Sequence, residues 1–222
     1  MSKVRRVLRT DGEATYNRIM EAAGELFGTD GFAETTNKAI ASRAGVDLAS
    51  INYHFKSRSG LYEAVLIEAH RRLVSFESLQ SVMASRLSAR DKLWQVIENL
   101  VTGATPDQGW HMRVLAREIL SPSSHIQVLM DSVVLTKMPM LLAILSEITS
   151  IPLGDPALIR LLSNVMAPCV MLMVIGRNIS FYKEEVRNMS HQDLVNHFYT
   201  FAIGGLDAIA EQYRLKAKAL SQ

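Results

Sequence analysis

Cysteine is almost absent from this 222-residue chain, where Cys169 stands alone. One thiol excludes an internal disulfide framework and suits a reducing compartment. Cys169 lies in an apolar run without a neighbouring His or base, so it reads as a core thiol rather than a nucleophile. Long hydrophobic runs are also missing. The longest uncharged stretch, between Arg160 and Arg177, holds sixteen residues and contains Pro168. A membrane helix needs ~20. The amino end is basic but has no apolar segment behind it, which argues against a secretory signal. There is no phosphate-cradling glycine loop, no G-x-S-x-G and no cysteine pair for zinc. His191 and His197, six residues apart, face different sides of a helix and make poor metal ligands. The chain is therefore expected to be cytoplasmic, with no catalytic residue, metal, cofactor or membrane partner.

What is present is apolar and helical. The composition is 48% hydrophobic and 21% charged, enough for a sizeable core. The formal net charge is only +2, so any surface for a polyanion must be local. One stretch is locally basic. From Thr35 to Gly60 the bases are Lys38, Arg43, Lys56 and Arg58, against the single acid Asp47. Two short helices fit here, Asn37 to Arg43 and Leu48 to His54. Thr36 and Asp47 are placed to cap them. Gly45 suits the left-handed residue of a tight turn. Ile40, Ala41, Ala44, Val46 and Ile51 are spaced to meet inside the corner. Lys38, Leu48, Ala49, Ser50, Asn52 and Tyr53 are left for the outer face. This is the pattern of a helix-turn-helix, whose second helix enters a DNA major groove.

Before it, Glu13 to Gly28 forms an amphipathic helix with Tyr16, Ile19, Met20, Ala23, Leu26 and Phe27 on one face. Phe32 is placed to plug the junction. Residues 1–12 carry Lys3, Arg5, Arg6 and Arg9 and read as a flexible basic arm.

The joint spacing of Arg18-Ile19, Ala22-Ala23, Leu26-Phe27, Gly31-Phe32, Thr35-Thr36, Ile40-Ala41, Ala44-Gly45-Val46, Ile51, Tyr53-His54-Phe55, Arg58 and Leu61 resembles the amino-terminal domain of TetR/AcrR-type transcriptional repressors. Arg117 to Pro122 is similar to a segment of the CecR-like subgroup. The resemblance implies an all-α fold: a three-helix helix-turn-helix domain at 13–60, then a larger helical effector-binding and dimerisation domain at 61–222, entered by a connecting helix at 61–80. It assigns base contacts to Lys38, Leu48, Ala49 and Asn52. Phosphate contacts fall to Thr36, Asn37, Ser50, Tyr53, His54, Lys56 and Arg58. Many members carry Tyr where this chain has Asn52, and Asn can pair bidentately with adenine. Asp47 replaces a residue that is more often neutral, and capping is its natural use.

Beyond residue 90 the chain reads as helical, with segments at Asp91 to Gly103, Trp110 to Leu120, Ser123 to Thr149, Ala157 to Tyr182 and His191 to Lys216. Thr105 to Gly109 is a loop, Pro139 a kink or break, and Ile151 to Pro156 a turn. The last two helices carry more apolar surface than one core stripe needs. A homodimer through Leu172, Phe198, Phe201, Gly205, Leu206 and Ile209 is expected; burial in a monomer core is the plainer alternative. Seven of eleven Met residues fall between Met112 and Met173. Met is common in adaptable pockets and also in ordinary cores. With Trp94 and Tyr182 as further aromatic walls, a pocket is expected around Trp110, His111, Arg113, Arg117, Met130 and Met173. Glu118 would be a polar anchor there, or an ion-pair partner of Arg117. The expected function is a ligand-responsive repressor on palindromic double-stranded DNA, released by a small, largely apolar effector. The alternative is a regulator that needs no small molecule.

Overall fold

The computed structural model describes the backbone at residues 2–104, 109–178, 184–185 and 188–220, and the side chains there except at 2–10, 104, 173, 175–178 and 220. Most of the Thr105 to Gly109 loop, Tyr182 and the Met173 side chain lie outside that set. Among the described residues the regular structure is helical throughout. The elements are α1 (Ser2–Asp30), α2 (Asn37–Ala44), α3 (Leu48–Phe55), α4 (Arg58–Leu73), α5 (Phe76–Ala84), α6 (Ala89–Ala104) and α7 (Trp110–Leu120). They continue with α8 (Ile126–Thr149), α9 (Pro156–Asn178) and α10 (His191–Leu220).

Three of these depart from the sequence reading. First, α1 opens at Ser2 rather than Glu13, so the stretch read as an arm has helical backbone from residue 2. No glycine or proline precedes Gly12 to interrupt the ladder. Second, the connecting helix expected over 61–80 is two helices. Apolar spacing runs on through Leu73, Phe76 and Leu79, but Ser75 adopts extended backbone and its hydroxyl accepts the Ser78 N–H at 2.9 Å, capping α5. Third, α8 continues through Pro139 instead of breaking; its irregularity is a π turn at Met130–Val134. α8 is long and apolar enough, by length and composition, to cross a membrane, though it carries Asp131, Lys137 and Glu147.

By packing, the chain divides into two compact units, Met1–Arg72 with Gln108–Val133, and Leu73–Asp107 with Val134–Gln222. Residues 108–133 therefore pack with the amino-terminal helices, although the sequence groups them with the larger domain. The first unit is built on α1, which packs against α7, α2 and α3; Ile19, Met20, Ala23 and Phe27 of α1 are buried there, as are Ile40, Ile51, Leu61 and Leu66. In the second unit α6 packs against α8, α9 and α10, and α9 against α10. Leu93, Ile97, Ile144, Leu158, Leu172, Val195 and Leu206 are among the side chains buried there.

Candidate nucleic-acid interface

The site is α3 and the residues that hold its two ends. Thr36 sits in extended backbone and its hydroxyl accepts the Ala39 N–H at 3.1 Å, starting α2. Gly45 closes α2 at φ 63°, a left-handed conformation that glycine adopts without steric cost. Its carbonyl accepts a bond from Arg18 of α1 at 3.4 Å. Asp47 caps α3: its Oδ1 accepts both the Ser50 N–H at 2.8 Å and the Ser50 hydroxyl at 3.0 Å. Those bonds hold the Asp47 carboxyl below the usual carboxylate range, so the cap stays ionised at neutral pH. Inside the corner Ile40, Ala41, Ala44, Ile51 and Phe55 are buried and Val46 is half-buried.

With that side committed to the core, α3 turns a distinct face outward. Leu48 is 50% exposed and Tyr53 84% exposed, and Lys38, Ala49 and Asn52 are exposed beside them. The four residues read as base contacts thus all stand free of the core. The phosphate set is more varied. Thr36, Tyr53 and Lys56 are exposed, and Lys56 sits at the end of α3 with φ 65°. Ser50 is half-buried with its hydroxyl on Asp47. Asn37 buries an amide oxygen that has no hydrogen-bond partner among the described residues. The His54 ring stands edge-on to those of Tyr16, at 5.9 Å, and Tyr53, at 5.0 Å.

Arg58 is engaged inside the protein. Its guanidinium donates to the Thr35 carbonyl at 3.1 Å and lies 4.3 Å from the centre of the Phe32 ring. Phe32 in turn touches the rings of Phe27 on α1 and Tyr62 on α4.

Of the residues read as an effector pocket, Trp110, Arg113 and Arg117 on α7 meet α1. Trp110 is buried and its indole N–H donates to Glu21 Oε2 at 2.6 Å. Arg113 lies against Gly28. Arg117 donates to the Thr29 carbonyl at 2.6 Å and the Gly28 carbonyl at 3.4 Å. His111 is buried, and Met130 is half-buried in the π turn. Arg117 and Glu118 do not pair with each other: Glu118 accepts the Tyr62 hydroxyl at 2.8 Å. Gly24, which the sequence reading passed over, is where Trp110 approaches α1. The one available signal was its four-residue spacing from Gly28. A groove of about 410 Å³ beside α1 is lined by Asn17, Arg18, Glu21, Ala22, Glu25, Arg43 and Ala44, none of them a residue read as pocket lining.

On α9 and α10, Leu161, Asn164, Val165, Phe201, Ala202, Gly205, Leu206 and Ile209 line a shallow apolar groove. Phe201 is 69% exposed and Gly205 is exposed, while Phe198 and Ile209 are half-buried. Leu172 and Leu206 are buried within the single chain. Cys169 is buried as expected, and burial pushes its thiol up to about 12, far from a reactive thiolate. Among the described residues no cluster of three or more His, Cys, Asp or Glu could hold a metal.

Residues 19–65 match the family described as bacterial regulatory proteins, tetR family. Residues 89–206, more than half the chain, match the carboxyl-terminal domain of the HTH-type transcriptional dual regulator CecR. A probable HTH-type transcriptional regulator of Bacillus subtilis strain 168, YttP, is 29% identical over 89 residues, which is 40% of this chain and 43% of YttP. The HTH-type transcriptional regulator UidR of Escherichia coli K12 is 28% identical over 68 residues, 31% of this chain and 35% of UidR. The matched stretch thus spans less than half of either relative. Among solved structures, the fatty acid degradation regulator FadR from Bacillus halodurans superposes with a TM-score of 0.68 at 15% identity, covering 86% of this chain and 96% of that one. A TetR-like transcriptional regulator from Rhodococcus sp. RHA1 gives 0.63 at 17% identity, over 86% and 95%. At such identities the likeness is one of fold.

Proposed function

Because the chain belongs to the tetR family of bacterial regulatory proteins, with a CecR-type carboxyl-terminal domain, it is a transcriptional regulator, and we propose that it works as a cytoplasmic homodimeric repressor released from a palindromic operator by a small, largely apolar effector. The observation that carries the DNA half of this reading is the outward face of α3, capped by Asp47 and preceded by α2 with its own caps at Thr36 and Gly45. Each protomer places α3 in a major groove. Asn52 pairs with an adenine edge, and Leu48 and Ala49 give apolar contact to thymine methyls. Lys38 reaches a base from α2. Thr36, Asn37, Tyr53, His54 and Lys56 hold phosphates on either side, which sets register and supplies most of the affinity.

Two copies join along the groove of Phe201, Gly205 and Ile209, burying an exposed phenylalanine that a monomer leaves in water. Paired heads then read half-sites about one helical turn apart. The effector acts by binding one conformer better than the other, and its leverage equals that difference in affinity. A second reading, control by a partner protein without a small molecule, is favoured by the use of Trp110, Arg113 and Arg117 against α1.

A thermal-shift screen of apolar small molecules separates the two, since a ligand of the folded form raises the unfolding temperature. A compound that raises it and lowers affinity for footprinted promoters supports the repressor. A screen with no shift, combined with intact promoter binding, supports the partner-controlled reading.

A further inference from the structure

The corner between α3 and α4 is short and tight. Only Lys56 and Ser57 separate the two helices. Lys56 N–H donates to the Asn52 carbonyl at 2.9 Å, and the Ser57 hydroxyl accepts the Gly60 N–H at 3.0 Å. A side chain at Gly60 would come within 2.4 Å of the Phe55 carbonyl oxygen. A link this constrained transmits orientation, so whatever fixes the first turns of α4 also fixes α3.

Two consecutive residues there are held from outside the helix-turn-helix. The Tyr62 hydroxyl donates to Glu118 Oε2 at 2.8 Å, and Glu63 Oε1 lies 3.0 Å from His125 Nδ1. Glu118 is 2% exposed, and its other oxygen accepts both the N–H and the hydroxyl of Ser123 at 2.8 Å. The Ser123 hydroxyl accepts the His125 N–H at 3.1 Å. The His125 ring stands edge-on to Phe32 at 5.1 Å and to Tyr62 at 5.5 Å. All of these residues belong to the same compact unit. A buried carboxylate that accepts three bonds is well satisfied, and its removal strands the hydroxyl and amide donors around it.

We propose that Glu118, bracing Tyr62 and the turn from Ser123 to His125, is a positioning residue for DNA reading: it sets the orientation of α3 through α4 without touching DNA. The inference rests on the DNA-binding reading above. It gives the segment after α7 a task at the reading head.

The test uses the full chain and a duplex that wild-type protein enriches from a random library, beside an unselected random duplex. Glu118→Ala is expected to lose about tenfold in affinity for the enriched duplex while keeping wild-type affinity and salt dependence on the random one. Glu118→Gln, whose amide can still accept from Ser123 and donate to the Tyr62 oxygen, is expected to stay within about threefold of wild type. Tyr62→Phe keeps the ring packing and removes one donor, so it carries the test should Glu118→Ala fail to fold. Its preference for the enriched duplex falls in the same direction, by about threefold. Folded variants with wild-type preference overturn the inference, and so does an equal loss on both duplexes. Failure of wild-type protein to enrich any duplex instead removes the DNA-binding reading beneath it.

Discussion

The indole of Trp110 occupies the space that a side chain at Gly24 would need: a Cβ placed on Gly24 would stand 2.2 Å from Trp110 Cδ2. The cross-over is reinforced by the indole N–H on Glu21 and by the Arg72 guanidinium, 4.7 Å from the centre of the ring. Gly24→Ala is therefore expected to lower unfolding free energy by about 1–3 kcal/mol through overpacking, although alanine is the better helix former. Trp110→Ala removes the obstacle, so Gly24→Ala in that background is expected to be neutral or mildly stabilising. Additive losses in the double-mutant cycle, read by urea denaturation, contradict the packing account.

Two basic residues at the corner between α3 and α4 are expected to behave differently, although they look alike in sequence. Lys56 is exposed, and Lys56→Gln is expected to weaken binding to all duplexes and lower the salt slope by about 1. Arg58 holds the Thr35 carbonyl and the Phe32 ring, so Arg58→Gln is expected to cost about 1–2 kcal/mol of stability and leave the slope unchanged. Salt titrations of both variants by fluorescence anisotropy decide this. A slope change for Arg58→Gln matching that for Lys56→Gln places both on phosphate.

Lys137 is 4% exposed, and its ammonium donates to the carbonyl of Val74, the residue after α4. Burial pulls its pKa down to about 8, with Glu77 opposing the shift. The sign follows from which state holds the proton. Between about 8 and the unfolded value of 10.5 the unfolded chain binds more protons, so this residue makes stability rise with pH in that window. The full rise is about 3 kcal/mol. Chemical denaturation from pH 7 to 10.5 is expected to show wild-type protein gaining by that amount relative to Lys137→Met. Parallel stability curves sink the assignment.

Phe201 is the exposed anchor of the α9–α10 groove. Phe201→Glu is expected to leave the protomer fold intact by circular dichroism and to produce a monomer in sedimentation equilibrium at micromolar concentration. Because half-site pairing multiplies affinity through effective concentration, the same variant is expected to lose at least about a hundredfold on a palindromic duplex. A wild-type dimer that survives this substitution moves the interface elsewhere.

Local features were legible in the sequence because local chemistry decides them. The caps at Thr36 and Asp47 and the left-handed Gly45 each follow from one residue type at a helix end, and all three are found where expected. The break after α4 was hidden because Leu73, Phe76 and Leu79 continue a helical spacing across it. Ser75 was its only marker, a good cap with an acid two residues on. The partner of α7 was not legible, because Trp110, Arg113 and Arg117 look the same whether they line a cavity or clasp another helix. What they meet is set by Gly24, Gly28 and the carbonyls at the end of α1, more than 80 residues earlier. Arg58 shows the same limit, since a basic side chain beside a reading helix can point to DNA or to a neighbouring ring.

The most direct test of the central claim is selection of duplexes from a random library by the purified chain at physiological salt. The account predicts enrichment of a palindrome with half-sites about one helical turn apart, and loss of preference at one base pair of each half-site for Asn52→Ala. A pool that stays random after repeated rounds, with folded protein, contradicts it.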